Sequence, residues 1–186
     1  AFYTSGRASN EAAFLYQLFV RAFGTDNFPD CSNMCHETTS VGLRDSIGLG
    51  KGTVTLEDFD IADAIFSFGH NPGTNHPRML GTLREVSRRG GNIVAINPLK
   101  ERGLERFQDP QAAVEMMTNG STPISRYYFQ PNVGGDYALM FGMLKHLREW
   151  DIQALAAGKK SVFDRSFIEM NTVGFDAMME EIDRTA

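Results

Sequence analysis

The thiol of Cys35 and the imidazole of His36 stand side by side in the run Cys31-Ser32-Asn33-Met34-Cys35-His36-Glu37-Thr38-Thr39-Ser40-Val41-Gly42-Leu43. The hydroxyl-bearing residues after them read as the opening of a short helix over about 38–47, with the pair in a loop just before it. Partial positive charge at a helix N-terminus favours the thiolate, the form that attacks carbon or binds a soft metal. The residue types admit three readings: a metal-ligating site, a nucleophilic site, or an ordinary buried thiol.

A second set of polar residues falls in turns. Gly69-His70-Asn71-Pro72-Gly73-Thr74-Asn75-His76 follows the apolar run Ala64–Phe68, and Asn97-Pro98-Leu99-Lys100 follows Asn92–Ile96. Open parallel sheets bind ligands outside the carboxyl ends of their strands. Glycine lets the backbone come close to a ligand, and Pro77 suits the first turn of a helix whose free N–H groups would receive an anion. Gly134-Gly135-Asp136 offers the same arrangement at another helix start. Together these turns point to a nucleotide-like ligand. No G-x-G-x-x-G follows a strand, and Gly48-Leu49-Gly50-Lys51-Gly52 lacks the Ser or Thr and the preceding strand of a phosphate loop. His70 and His76 read as loop hydrogen-bonders rather than zinc ligands, because no matched Cys/His spacing accompanies them.

The elements that must position these residues follow from periodicity. Phe2–Thr4 reads as a short strand. A helix from Ser9 or Asn10 to about Phe23 carries the apolar stripe Phe14, Leu15, Leu18, Phe19 and Ala22, expected in the core. Thr55 and Asp58 have capping-box spacing. The runs 64–68 and 92–96, joined by a helix to about Arg89, form a strand–helix–strand unit of parallel-crossover size, with both strands buried. Residues 104–133 give no clear period. A strong helix runs from Gly134-Gly135-Asp136 to about Trp150 with Leu139, Met140 and Met143 inward, and two short helices lie near 164–170 and 174–183. The fold class is α/β, a Rossmann-like three-layer domain with a mostly parallel sheet.

With 186 residues, 42% hydrophobic and 22% charged, the chain has the bulk of one globular domain. A net charge of −5 gives no general attraction to nucleic acid or anionic membranes. No apolar run reaches the length of a membrane span. Two cysteines four residues apart make no disulfide scaffold and suit a reducing, cytoplasmic setting. Both ends read as cut. The expectation is a domain excised from a larger multidomain enzyme, with residues 1–30 completing a neighbouring domain and 31–186 forming part of a ligand-binding α/β domain.

Six segments, in order, resemble the molybdopterin oxidoreductase family, especially its formate-dehydrogenase-like members. They are Ser5-Gly6-Arg7-Ala8-Ser9-Asn10-Glu11, the Cys31–Leu43 run, Phe68–Pro77, Asn97–Lys100, Gly134–Asp136, and Phe167-Ile168 with Thr172-Val173-Gly174-Phe175. The resemblance implies a bis-molybdopterin guanine dinucleotide cofactor with molybdenum or tungsten. It makes Cys35 the protein's ligand to the metal and His36 a proton acceptor beside it. It assigns Gly69, His70, Asn71, Pro72, Thr74, Asn75, His76, Asn97, Pro98, Lys100, Gly134, Gly135 and Asp136 to dinucleotide binding. It also implies a small-molecule substrate, an electron-transfer partner, and a 4Fe-4S cluster outside these residues, so that this portion alone would not turn over. Two positions depart from the family pattern: Glu37 replaces a small residue after the histidine, and Asn97 stands where many relatives carry an acid. The competing readings are a cysteine-nucleophile hydrolase or transferase and a non-catalytic module that keeps the fold.

Overall fold

The computed structural model describes residues 1–29 and 31–185. Asp30, which precedes the cysteine run, lies outside the described residues, as do the side chains of Cys31 and Ser32. The chain divides into two compact units, Ala1–Thr55 and Leu56–Ala186.

The first unit holds three helices: α1 (Asn10–Ala22), α2 (Cys31–Cys35) and α3 (Glu37–Ile47). Ser9 is extended and its Oγ accepts the Ala12 N–H at 3.2 Å, which caps α1 as its residue type predicts. The apolar stripe of α1 does not form a core. Phe14 and Phe19 are each 58% exposed, Leu15 and Leu18 are also exposed, and Val20 alone of the helix is buried. Periodicity marks a face that seeks a partner, and the described residues supply little more than Phe2. Its ring meets Phe19 and Phe23 edge-on, with centroids 5.8 and 5.2 Å apart. Phe2–Thr4 is not a strand. Phe2 donates one backbone hydrogen bond to Asn27 (2.9 Å), and no strand lies beside it among the described residues.

The second unit runs α4 (Asp58–Ile61), β1 (Ala64–Phe68), α5 (Pro72–Asn75), α6 (Met79–Arg88), β2 (Asn92–Ile96), α7 (Arg102–Glu105), β3 (Arg106–Phe107), α8 (Ala113–Thr118), β4 (Thr122–Pro123), β5 (Tyr127–Phe129), α9 (Asp136–Ala156), α10 (Arg165–Asn171) and α11 (Phe175–Arg184). The α/β expectation is met. One sheet has the order β1-β2-β5, all parallel, with Ala64 opposite Asn92 and Val94 opposite Tyr127. A two-stranded antiparallel ribbon joins β3 to β4.

Alternation decides the faces of the sheet. The helix α6 turns Leu80, Leu83 and Val86 inward, and these pack with Ile93 of β2 and Ile124 as the core, flanked by Phe59, Ile65, Met79 and Phe107. The opposite face carries the register-matched rows Phe66, Val94, Tyr127 and Phe68, Ile96, Phe129. There the edge strands are open: Phe66 is 49% and Phe129 52% exposed. The expected burial therefore holds for β2, the central strand, and fails for β1, an edge strand. Arg84 leaves the core face of α6 and ties it to the α8 region, with Asp109 at 2.8 Å and Glu115 at 2.6 Å.

Three further expectations need correction. The short helix opened by a capping box begins at Asp58 with Glu57, not Thr55, at its N-cap. Pro77 does not open a helix. Pro72 fills the first position of α5, and α6 starts at Met79 behind Arg78. Nor is the inner face of α9 a core: Met140 is exposed, Leu139 and Met143 are half-buried, and the buried residue of α9 is Asp151. Here α11, through Met179 and Ile182, gives only partial cover. Asp151 is fully buried. Its carboxylate accepts from Ser161 Oγ and from the Val162 N–H (2.9 Å), and pairs with Arg165 at 2.7 Å. The Arg165 guanidinium also lies over the rings of Phe163 (5.5 Å) and Phe175 (5.1 Å), so the turn after α9 is fixed at both ends.

Candidate functional site

Parallel strands deliver every following turn to the same end of the sheet. The turn after β1 (69–76), the turn after β2 (97–101) and the exit from β5 therefore share one rim. Gly69 leaves β1 with φ +57°, its N–H bound to Ile96 O (2.8 Å), and a Cβ there would meet nothing within 4 Å. The backbone at that point is bare toward the rim. Asn71 caps α5: its Oδ1 accepts the Thr74 N–H at 3.1 Å, and Pro72 behind it is buried. Thr74, Asn75 and His76 complete an exposed turn.

The two turns are bonded to each other. Asn97 is buried. Its N–H reaches Phe129 O (3.0 Å), its Nδ2 donates to His70 O (3.4 Å), and its Oδ1 accepts the Leu99 N–H (3.1 Å). Asn71 Nδ2 donates to Glu101 Oε2 at 2.7 Å. The Glu101 N–H donates to Tyr128 Oη (2.9 Å), which itself donates to Leu99 O (2.8 Å). Gln130 Nε2 donates to Pro98 O (2.9 Å), tying the exit of β5 to the second turn. Beyond that exit, Gly134 has φ +84°, Gly135 is the N-cap of α9, and Asp136 is its first residue.

Thus the rim gathers Gly69, His70, Asn71, Pro72, Thr74, Asn75, His76, Asn97, Pro98 and Lys100, and the chain reaches Gly134, Gly135 and Asp136 from the same end. Lys100 is exposed, 3.9 Å from Glu105, and Arg78 and Arg102 are exposed nearby in sequence. Sequence reasoning missed Glu101, Gly103, Tyr128 and Gln130. Only Gly103, a glycine in the polar segment after β2, left a signal.

His70 Nε2 and His76 Nδ1 lie 3.1 Å apart, so the two bond to each other, as loop hydrogen-bonders do. Burial of His70, with the charge of His76 second, lowers its pKa from the ordinary 6.5.

In the first unit, Cys35 is not in a loop. It is the last residue of α2, and His36 is the N-cap of α3. Cys35 is a free, exposed thiol, and His36 is exposed too. Asn33 Nδ2 donates to Glu37 Oε2 across the pair. Among the described residues, no group of three or more His, Cys, Asp and Glu side chains is placed to hold a metal ion, and no helix is long and apolar enough to cross a membrane.

No family model matches the chain. It is 59% identical over 181 residues to Protein YdeP of Escherichia coli strain K12, covering 97% of this chain and 24% of that protein. It is 52% identical over 175 residues to the Uncharacterized oxidoreductase Rv2900c of Mycobacterium tuberculosis strain H37Rv, covering 94% and 22%. To the F420-dependent formate dehydrogenase subunit alpha of Methanocaldococcus jannaschii it is 26% identical over 184 residues, covering 98% and 23%. The chain spans about a quarter of the length of these curated relatives. Its homologues thus include proteins named as oxidoreductases.

Proposed function

We propose that this chain is the cofactor-binding portion of a molybdenum or tungsten oxidoreductase, formate-dehydrogenase-like, acting on a small substrate by two-electron transfer. The observation that carries the reading is the joining of turns 69–76 and 97–101 on one rim of a parallel sheet, where a dinucleotide would lie. A homologue named as a formate dehydrogenase subunit supports the same direction.

The donor chemistry fits a pterin guanine dinucleotide. Gly69 offers bare backbone, the Asn, Thr and His side chains of the rim offer groups for ribose and base, and Arg78, Lys100 and Arg102 offer cations for a diphosphate. Cys35 supplies the soft sulfur that suits molybdenum or tungsten. When bound, the cofactor supplies the two-electron redox chemistry. The chain's own part is to hold the dinucleotide by residues 69–76, 97–100 and 134–136, to offer the Cys35 sulfur, and to take a proton. His36, beside Cys35 in sequence, would offer a ring nitrogen to accept the proton that substrate oxidation releases. An iron–sulfur cluster and an electron acceptor belong to the remainder of the protein, and a free exposed thiol suits the cytoplasm.

Elemental analysis of the full-length protein carrying this chain, with nucleotide release by acid, tests the proposal. Molybdenum or tungsten together with guanine nucleotide is expected. A protein with neither metal is not this enzyme.

A further inference from the structure

The two turns of the rim touch through backbone as well as side chains. A Cβ on Gly103 would stand 2.8 Å from Gly73 Cα and 3.0 Å from Gly73 N, closer than real Cβ atoms come, so α5 and α7 are pressed together where only glycine fits. Immediately before this contact stands Glu101. Its carboxylate receives Asn71 Nδ2 at 2.7 Å, while the other end of the same amide caps α5. Its backbone N–H is bound to Tyr128 Oη on β5. Glu101 is half-buried, and its side chain belongs to the second turn while its bond belongs to the first. A carboxylate accepting an amide N–H is a charge-assisted bond, stronger than the amide–amide bond that most residues could offer.

We infer that Glu101 is a positioning residue for the ligand of this rim: through Asn71 it fixes the turn 69–76 in the shape that receives the nucleotide, without touching the nucleotide itself. The inference rests on the proposed function for the identity of the ligand. Asn71 couples the two effects. Glu101 holds its amide, and the held amide holds the N-terminus of α5. The turn is therefore ordered before the nucleotide arrives, and the nucleotide does not have to order it.

The test is a double-mutant cycle, Glu101→Ala and Asn71→Ser, in the full-length protein. Serine keeps the capping oxygen but loses the donor to Glu101. Two readouts are taken: the rate at which bound guanine nucleotide is lost, and amide hydrogen exchange of residues 73–76. Glu101→Ala is expected to speed nucleotide loss about tenfold or more, the size of one bond to a charged group. It should also lower protection at Thr74, Asn75 and His76. Glu101→Gln, which keeps an acceptor oxygen but loses the charge, should recover only about half of both. The double variant should be no worse than the poorer single one, because both remove one bond. Additive effects, or unchanged protection in Glu101→Ala, overturn the inference while a loaded wild type leaves the proposed function intact. A wild type without guanine nucleotide overturns the proposed function, and the inference with it.

Discussion

The bond between His70 Nε2 and His76 Nδ1 needs one ring to donate and the other to accept, so it fails when both rings are protonated. Burial and the neighbouring imidazole lower the pKa of His70 below 6.5. An unfolded chain then binds more protons than the folded one in the interval between the two values. The contribution to stability is full above the ordinary value and is lost as pH falls through the folded one. NMR titration should find His70 below 6.5. His76→Gln should raise it only part of the way, because burial is the larger cause and remains. A His70 that titrates at or above its ordinary value would refute this account. At Cys35, replacement by serine keeps the shape but exchanges a soft donor for a hard one. If the proposed metal site holds, metal content of the full-length protein should fall by at least the tenfold or so that loss of an outer-shell partner costs elsewhere, and an unchanged content would remove Cys35 from the site. The rim residues were legible because Gly, Asn and Pro punctuate the chain directly after apolar runs. Glu101 and Tyr128 were not, because their bonds span 30 and 27 residues and leave no trace in local spacing.

At the scale of elements, α9 and α10 are joined by a charge. Three donors hold the buried Asp151 carboxylate: the Ser161 hydroxyl foremost, then the Arg165 guanidinium and the Val162 N–H. Against the opposing effect of burial, they lower its pKa below 3.8. Because the folded value is depressed, the stabilisation is present above the ordinary pKa and lost as pH falls through the folded one. Asp151→Ala should destabilise the fold by about 2 kcal/mol or more, the size of a lost bond to a charged group that leaves its partners unmet. Urea denaturation at neutral pH checks this, and the difference between variant and wild type should shrink as pH is lowered below about 4. An equal difference at both pH values would mean that the charge is not the cause. Helix α1, strands β1 and β2, and the starts of α9 and α11 were legible from capping residues and periodicity. The strand β5 was not. Tyr127-Tyr128-Phe129 is too short to show alternation, and it becomes a strand only because Val94–Ile96 offers it a backbone ladder. Pro77 misled because Pro72, capped by Asn71, takes the helical position first.

For the whole molecule, the apolar surface is not spent inside. Phe14, Leu15, Leu18, Phe19 and Phe23 of the first unit are exposed, as are Phe66, Phe68, Tyr127 and Phe129 of the second. Patches of this kind beyond a few hundred Å² are uncommon on monomeric proteins. The 186-residue chain on its own is expected to self-associate with rising concentration, seen by sedimentation velocity, and Phe66→Ser with Phe129→Ser should weaken that association. A monodisperse monomer at high concentration would contradict it. Here sequence reading failed for a physical reason: a stripe records what a helix would bury, not whether anything in the chain arrives to bury it. The common direction of β1, β2 and β5 has a separate consequence. Travel along any of the three strands ends at one rim of exposed turns. Substitution of the exposed Thr74 or Asn75 in the turn beyond β1 should leave melting nearly unchanged, whereas substitution of the buried Ile93 or Ile96 of β2 should lower it, so tolerance to change would rise along a single axis from sheet to rim.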